Sequence, residues 1–281
     1  MSIIENEPAN EYHRTPMVAI GSHALLESDP EAGGSLAKFH AKYIEGFTRT
    51  ASDALTIGRA THARILERRN LRSTTDPEFV VHPATYTTSK GEIKPWTRAA
   101  KICEEWEDAN NQKTILKPAW VDNIERMAVT ALAAPEVSEF LSVGKPEVVI
   151  RHEDPMTGLL VQSRFDWLRL EERMFGDLKT TCEESMSKFP REAINYHYDR
   201  QIAWYGRRLA QELNEPWPSG RIEHRIIATM KTVPWSAQLY KFKPERIAAA
   251  DDKNQAALCR LAEAWSTNNW PDDTGGIITI D

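Results

Sequence analysis

The stretch "MFGDLKTT", residues 174–181, sets an aspartate and a lysine two positions apart inside a run that otherwise reads as a short buried strand. In a strand, side chains two apart share a face, so Asp177 and Lys179 point one way and Leu178 points to the opposite side, towards the core. Opposite charges are common neighbours on sheets, and an ordinary ion pair is the default account. The alternative is half of a metal-dependent hydrolytic site, and the surrounding sequence has to decide.

Immediately upstream, "PEVVIRHED" (146–154) and "GLLVQSRFDWLRLE" (158–171) are β-rich runs joined by "DPMTG", a strong turn signal. They read as a hairpin that feeds MFGDLKTT as a third strand. Asp166 lies on the strand before Asp177, so an antiparallel pairing brings both carboxylates within reach of one cation. Mg²⁺ takes hard oxygen ligands, typically a few carboxylates with water and substrate phosphate. A cation held this way acidifies water and stabilises charge on a phosphodiester, with Lys179 beside it to hold or deprotonate that water.

Downstream, "TTCEESMSKF" (180–189) has a capping-box pattern, with Thr180 or Thr181 as the cap and Glu183 or Glu184 three residues on, and is expected to start a helix. "INYHYDRQIAWYGRRLAQELN" (194–214) reads as one longer helix, on which Tyr198, Gln201 and Tyr205 share a face. "RIEHRIIATMKT" and "WSAQLYKF" read as two more strands, with a closing helix from Pro244 towards Trp265. Earlier in the chain, "DALTIGRATHARILERRN" (53–70) reads as a helix capped by Asp53. Within it "GRATH" places His62 four residues after Gly58; such a histidine is by default solvated, and as a neutral imidazole it can also ligate a metal. "PAWVDNIERMAVTALAA" (118–134) is a further helix with Pro118 in its first turn. The polar "HPATYTTSKGEIKPWTRAA" (82–100) reads as a mobile loop over a site.

Helices, then a strand meander, then helix and strand again describe an α/β architecture: a central mixed sheet flanked by helices, with a helical N-terminal portion. The expected organisation is a flexible leader over 1–16 and a single domain over 17–281. Its helical part runs to about 140, its sheet core spans about 141–245, and a C-terminal helix and tail follow. The bulk numbers fit: 281 residues, 27% charged and 41% hydrophobic. No apolar run approaches the length of a membrane span and the N-terminus is not signal-like, which points to the cytoplasm. The net charge of −6 argues against a protein that coats nucleic acid, though not against a basic groove. Cys103, Cys182 and Cys259 are scattered without a CxxC pair.

Taken in order, the histidine of GxxxH, an aspartate, Asp-x-Lys at a strand end and a Gln-xxx-Tyr helix resemble the motif set of the RecB-like branch of the PD-(D/E)XK nuclease superfamily. The fuller pattern is similar to RecE-type phage exonucleases, relatives of lambda exonuclease. It covers most of the chain from Leu55 to Tyr205. The resemblance implies a PD-(D/E)XK core in which Asp166 and Asp177 bind metal, with the Leu178 carbonyl as a further ligand and His62 contributing. Lys179 becomes the catalytic lysine, and Gln201 and Tyr205 the helix that supports the lysine and the scissile phosphate. Glu147, in "KPEVVI", stands where the fold carries an additional acid, with Glu153 as a competitor. Arg59, Arg64 and Arg164 are candidates for a terminal phosphate, a group that usually calls for a bidentate arginine.

It further implies Mg²⁺, with Mn²⁺ as substitute, and a 5′→3′ exonuclease on double-stranded DNA ends that leaves 3′ overhangs for recombination. The relatives also work as toroidal homo-oligomers, a trimer or tetramer, with a single-strand annealing protein as partner, in a bacterial host cell and often phage-encoded. The cluster-binding cysteines of other branches have no counterpart, so no iron–sulfur cluster is expected. No Walker A sequence is present, so no ATP is expected. A structure-specific or restriction-type endonuclease is an alternative within the superfamily. A non-catalytic DNA-end-binding scaffold is the alternative outside it.

Overall fold

The structure, a computed structural model, describes residues 3–5, 7–14, 17–47, 52–218 and 220–272. The chain opens with β1 (Ile3–Ile4), α1 (Ala9–Tyr12), α2 (Ser22–Glu27), α3 (Leu36–Phe39) and α4 (Asp53–Ile65). Short strands β2 (Phe79–Val81), β3 (Thr85–Thr87) and β4 (Ile93–Pro95) follow, then α5 (Lys101–Ala109), β5 (Thr114–Leu116), α6 (Pro118–Ala133) and α7 (Pro135–Phe140). The second half holds β6 (Lys145–Glu153), β7 (Leu160–Arg169), β8 (Met174–Thr181), α8 (Phe189–Asn195), α9 (Tyr198–Glu212), β9 (Glu223–Met230), β10 (Ala237–Tyr240) and α10 (Pro244–Thr267).

The main sheet has the order β1-β6-β7-β8-β9-β10. All neighbours are antiparallel except β8 and β9, which run parallel with Asp177 opposite Ile226 and Lys179 opposite Ala228. A parallel pair needs a long crossover, and α8 with α9 supplies it. Successive residues of β9 show how the sheet is buried on both faces. Ile226 and Ala228 join Phe165, Phe175, Trp204 and Leu258 under α9 and α10. Ile227 joins Leu178, Trp167 and Phe140 under α6 and α7. MFGDLKTT therefore is a strand whose Leu178 packs on the opposite face, as its alternation required. Gly176 has a specific reason to lack a side chain: a Cβ there would come within 2.5 Å of the Phe140 ring.

Several expectations are corrected. Of the leader expected over 1–16, residues 1, 2, 6, 15 and 16 lie outside the described residues, and the described ones are not merely a leader. Ile3 and Ile4 pair with Ile150 and Val149 as an edge strand, and Glu5 and Glu7 form ion pairs with Lys145 and Arg151. Two β-branched residues suffice because β6 already offers an open edge. Ser52, not Asp53, caps α4, its hydroxyl accepting from the Leu55 N–H. The 82–100 stretch holds the β3–β4 hairpin, with Trp96 stacked on His82 at 5.2 Å and edge-on to Trp106 at 5.4 Å. Thr180 and Thr181 start no helix. Pairing with β9 carries the strand on to Thr181 opposite Met230, and the next helical turn is capped by Ser185. The single helix expected over 194–214 is two, broken at His197, whose φ of +55° is left-handed.

Candidate active site

β7 and β8 pair only over Trp167–Arg169 and Met174–Gly176. Beyond Gly176 the Asp166 side chain continues the contact, its Oδ2 accepting the Leu178 N–H at 2.7 Å. α4 crosses this opening: His62 Nε2 lies 2.9 Å from the Leu178 carbonyl and Nδ1 lies 3.5 Å from Asp166 Oδ2. If Nε2–H donates to the carbonyl, the Nδ1 lone pair faces a carboxylate oxygen. Two acceptors confronting each other call for a cation or a proton between them. Glu147, from β6 with a φ of +54°, completes the group, and one ligand atom each from His62, Glu147 and Asp166 lie within 4.8 Å of one another.

The donor set of two carboxylates, an imidazole and a carbonyl suits a hard or borderline divalent ion. Its electrostatics point the same way. Burial first, and the Asp177 charge second, push Asp166 up to about 7. Burial and then the Asp166 charge push Glu147 up to about 7, and Arg164, its ion-pair partner, only partly offsets this. Burial lowers His62, favouring the neutral imidazole that a metal needs. Clustered acids with raised pKa values, set in a cleft, are the mark of a site whose counter-charge comes from outside.

Asp177 sits at the edge of this group rather than inside it. It is 1% exposed and its Oδ2 lies 2.7 Å from Lys179 Nζ. Its Oδ1 accepts from Gln201 Nε2 at 3.1 Å, and the same amide donates to Tyr205 Oη at 2.9 Å. Burial alone would lower Lys179, but the Asp177 and Asp166 charges outweigh it and raise the group, so the ammonium stays protonated. Tyr198, one turn before Gln201, presents its ring 4.8 Å from Nζ. The ion pair taken as the default account is therefore present, and it stands beside the acidic cluster. Tyr205 packs with Phe165 at 5.3 Å and is buried, so it steadies Gln201 and does not face the cleft.

The structure separates the three arginines. Arg164 belongs to the cluster, paired with Glu147. Arg59 pairs with Glu78, and Arg64 donates its Nε to both carboxylate oxygens of Glu125 at 2.8 and 2.9 Å. Glu153 is exposed at the hairpin end. Sequence reasoning missed the cleft wall built from the N-terminus. Ile20 bridges to Val161 and brings α2 alongside. There His23 reaches solvent, yet the crowding of the cleft first and the Lys179 charge second hold its imidazole below the ordinary value. Tyr12 lies beside the Arg164 guanidinium, 5.8 Å from its ring centre. No local pattern marks these residues, because their place depends on pairings some 140 positions away.

A family model described as "PDDEXK-like domain of unknown function (DUF3799)" matches residues 31–280. No curated protein matches the chain. Among solved structures, that of a presumed exonuclease from Eubacterium rectale is similar with a TM-score of 0.65 and 13% identity, over 99% of this chain and 97% of that one. The likeness is one of fold. A phage-related exonuclease from Haemophilus somnus 129PT matches 63% of this chain and 91% of its own at 11% identity, with a TM-score of 0.33, too low to argue from.

Proposed function

Because the chain belongs to the family of PDDEXK-like domains, we propose that it is a metal-dependent deoxyribonuclease, a 5′→3′ exonuclease on double-stranded DNA ends that leaves 3′ overhangs for recombination. The observation that carries this reading is the convergence of His62, Glu147, Asp166, Asp177 and Lys179, from four elements, on the opening between β7 and β8.

His62, Glu147, Asp166 and the Leu178 carbonyl would hold Mg²⁺, or Mn²⁺ in its place, with the Asp177 charge alongside. When bound, that cation neutralises charge on the phosphodiester and acidifies water. Lys179 donates from Nζ to a phosphate oxygen as negative charge builds there, and it orients the attacking water. Asp177 keeps the ammonium protonated and in place, Gln201 fixes Asp177, and Tyr205 fixes Gln201. A site held by such a chain of hydrogen bonds needs little reorganisation at the moment of reaction.

Processivity, on this reading, comes from a toroidal homo-oligomer of three or four copies enclosing the DNA, and the exposed strand passes to a single-strand annealing protein. The resemblance to RecE-type exonucleases supports both.

The test is digestion of duplex DNA labelled at the 5′ or the 3′ end, with Mg²⁺ and with EDTA. Metal-dependent release of the 5′ label first is the expected result. Absence of any turnover with Mg²⁺ or Mn²⁺, despite binding of DNA ends, would favour a non-catalytic scaffold. Cleavage of a covalently closed circle at the rate of the linear form would favour a structure-specific or restriction-type endonuclease.

A further inference from the structure

The left-handed turn at His197 that separates α8 from α9 has a result beyond breaking a helix: it leaves Tyr196 62% exposed. Its ring stacks on Tyr198 at 5.9 Å with 29° between planes. Tyr198 in turn stands 4.8 Å from Lys179 Nζ. Two aromatic faces thus lead outward from the ammonium assigned to the scissile phosphate. They line an open groove of about 760 Å³ whose wall includes Thr180, the residue after Lys179 on β8. That volume lies in the range of small-molecule sites, about 300–1,000 Å³.

The charges of the groove select what can occupy it. Glu183, Glu184 and Glu192 line it against Lys188, which is paired with Glu184, and Lys231, so carboxylates outnumber ammonium groups three to two. This wall, net negative, disfavours a phosphate backbone as its main occupant. Carboxylates accept hydrogen bonds from the exocyclic N–H groups of bases, and tyrosine rings stack on base faces with little regard to sequence. We propose that the Tyr196–Tyr198 groove is a nucleobase subsite, which holds the base flanking the scissile phosphate while the phosphate itself lies against Lys179. This inference rests on the nuclease reading above and specifies how that site holds its substrate. A stacked base fixes the rotation of the nucleotide about its backbone, and with it the line of attack at phosphorus.

The test compares cleavage of two duplexes, identical except that one nucleotide in one of them is abasic. Loss of one stacked base is expected to slow the parent at the flanking phosphodiester by about 5- to 160-fold. Tyr196→Ala is expected to slow cleavage of the normal duplex comparably and to treat both duplexes alike, whereas Tyr196→Phe keeps the discrimination. As an independent readout, 2-aminopurine at the same position should be quenched on binding, in Ca²⁺, to the parent and to Tyr196→Phe but not to Tyr196→Ala. Because Tyr196 is exposed, circular dichroism and melting should match the parent. Equal cleavage of both duplexes by the parent, or discrimination or quenching retained in Tyr196→Ala, would overturn the subsite and leave the nuclease standing. A parent with no metal-dependent cleavage at all overturns both.

Discussion

Replacing Glu147 with glutamine should make the metal-free protein more stable, and the gain should depend on pH. Folding moves the Glu147 carboxyl from 4.5 to about 7. Each tenfold change in proton affinity corresponds to about 1.4 kcal/mol, so keeping this group ionised in the fold costs about 3 kcal/mol. The sign is the reverse of the usual carboxylate. The folded chain binds the proton more tightly than the unfolded one, so the parent loses stability as pH rises from about 4.5 to about 7 and is flat above. Glutamine keeps the shape and the acceptor oxygen facing Arg164 but cannot ionise. With unfolding entropy of about 2.1 cal/mol/K per residue over 281 residues, 3 kcal/mol corresponds to about 5 °C in Tm. Calorimetric melts in EDTA at pH 4.5 and 8.5 read this directly. The variant should match the parent within about a degree at pH 4.5 and exceed it by about 5 °C at pH 8.5. Adding Mg²⁺ or Mn²⁺ should raise the parent's Tm more than the variant's, since ligand binding stabilises by mass action and the variant has lost a charged ligand. Equal melting at both pH values, or a variant weaker than the parent at pH 8.5 in EDTA, would refute the idea that Glu147 is held against its own preference by the site.

Lys179→Ala and Asp177→Asn should each lower cleavage by at least about 100-fold while gel-shift binding of DNA persists; turnover near the parent's in both would remove these residues from the chemistry. Gly176→Ala drives a Cβ to 2.5 Å from Phe140, beside Asp177, and should cost about 1–3 kcal/mol in denaturant unfolding together with a drop in activity. A chain starting at residue 17 should melt lower and cleave more slowly than the full one, because it loses the β1 edge strand and the cleft wall at Tyr12; identical behaviour would return those residues to the status of a leader.

What could be read in advance was what rests on short-range pattern. The Asp154–Gly158 turn fixed the β6–β7 hairpin, alternation fixed the two faces of β8, and helical spacing put Tyr198, Gln201 and Tyr205 on one side of α9. The carboxylates, the lysine, the histidine and Glu147 were named through the resemblance, whose motifs stand in the same order along the chain, and the structure brings His62, Glu147 and Asp166 together. What failed depended on contacts between distant segments. Thr181 does accept the Glu183 N–H, as a local capping pattern suggests, yet parallel pairing with β9 holds it in the strand. Nothing in two isoleucines at the N-terminus announces a partner at Val149 and Ile150. The pairing of Arg164 with Glu147, rather than with a phosphate, follows from register between β6 and β7 and has no signature in either residue.

The Asp166 oxygen that receives the Leu178 N–H ties the chemistry of this chain to its architecture. That backbone donor has lost its neighbouring strand, and the carboxylate stands in for the missing carbonyl. Mutational drift therefore meets two barriers of different kind at this position. A change to asparagine discards the charge and still offers an acceptor, so an inert descendant can survive it. A change to an apolar residue strands a buried donor at the point where the sheet divides, at about 1–3 kcal/mol. Lineages of this fold that have abandoned hydrolysis should accordingly drift towards an amide here, and an aliphatic residue at this position should arise only alongside a rebuilt strand end.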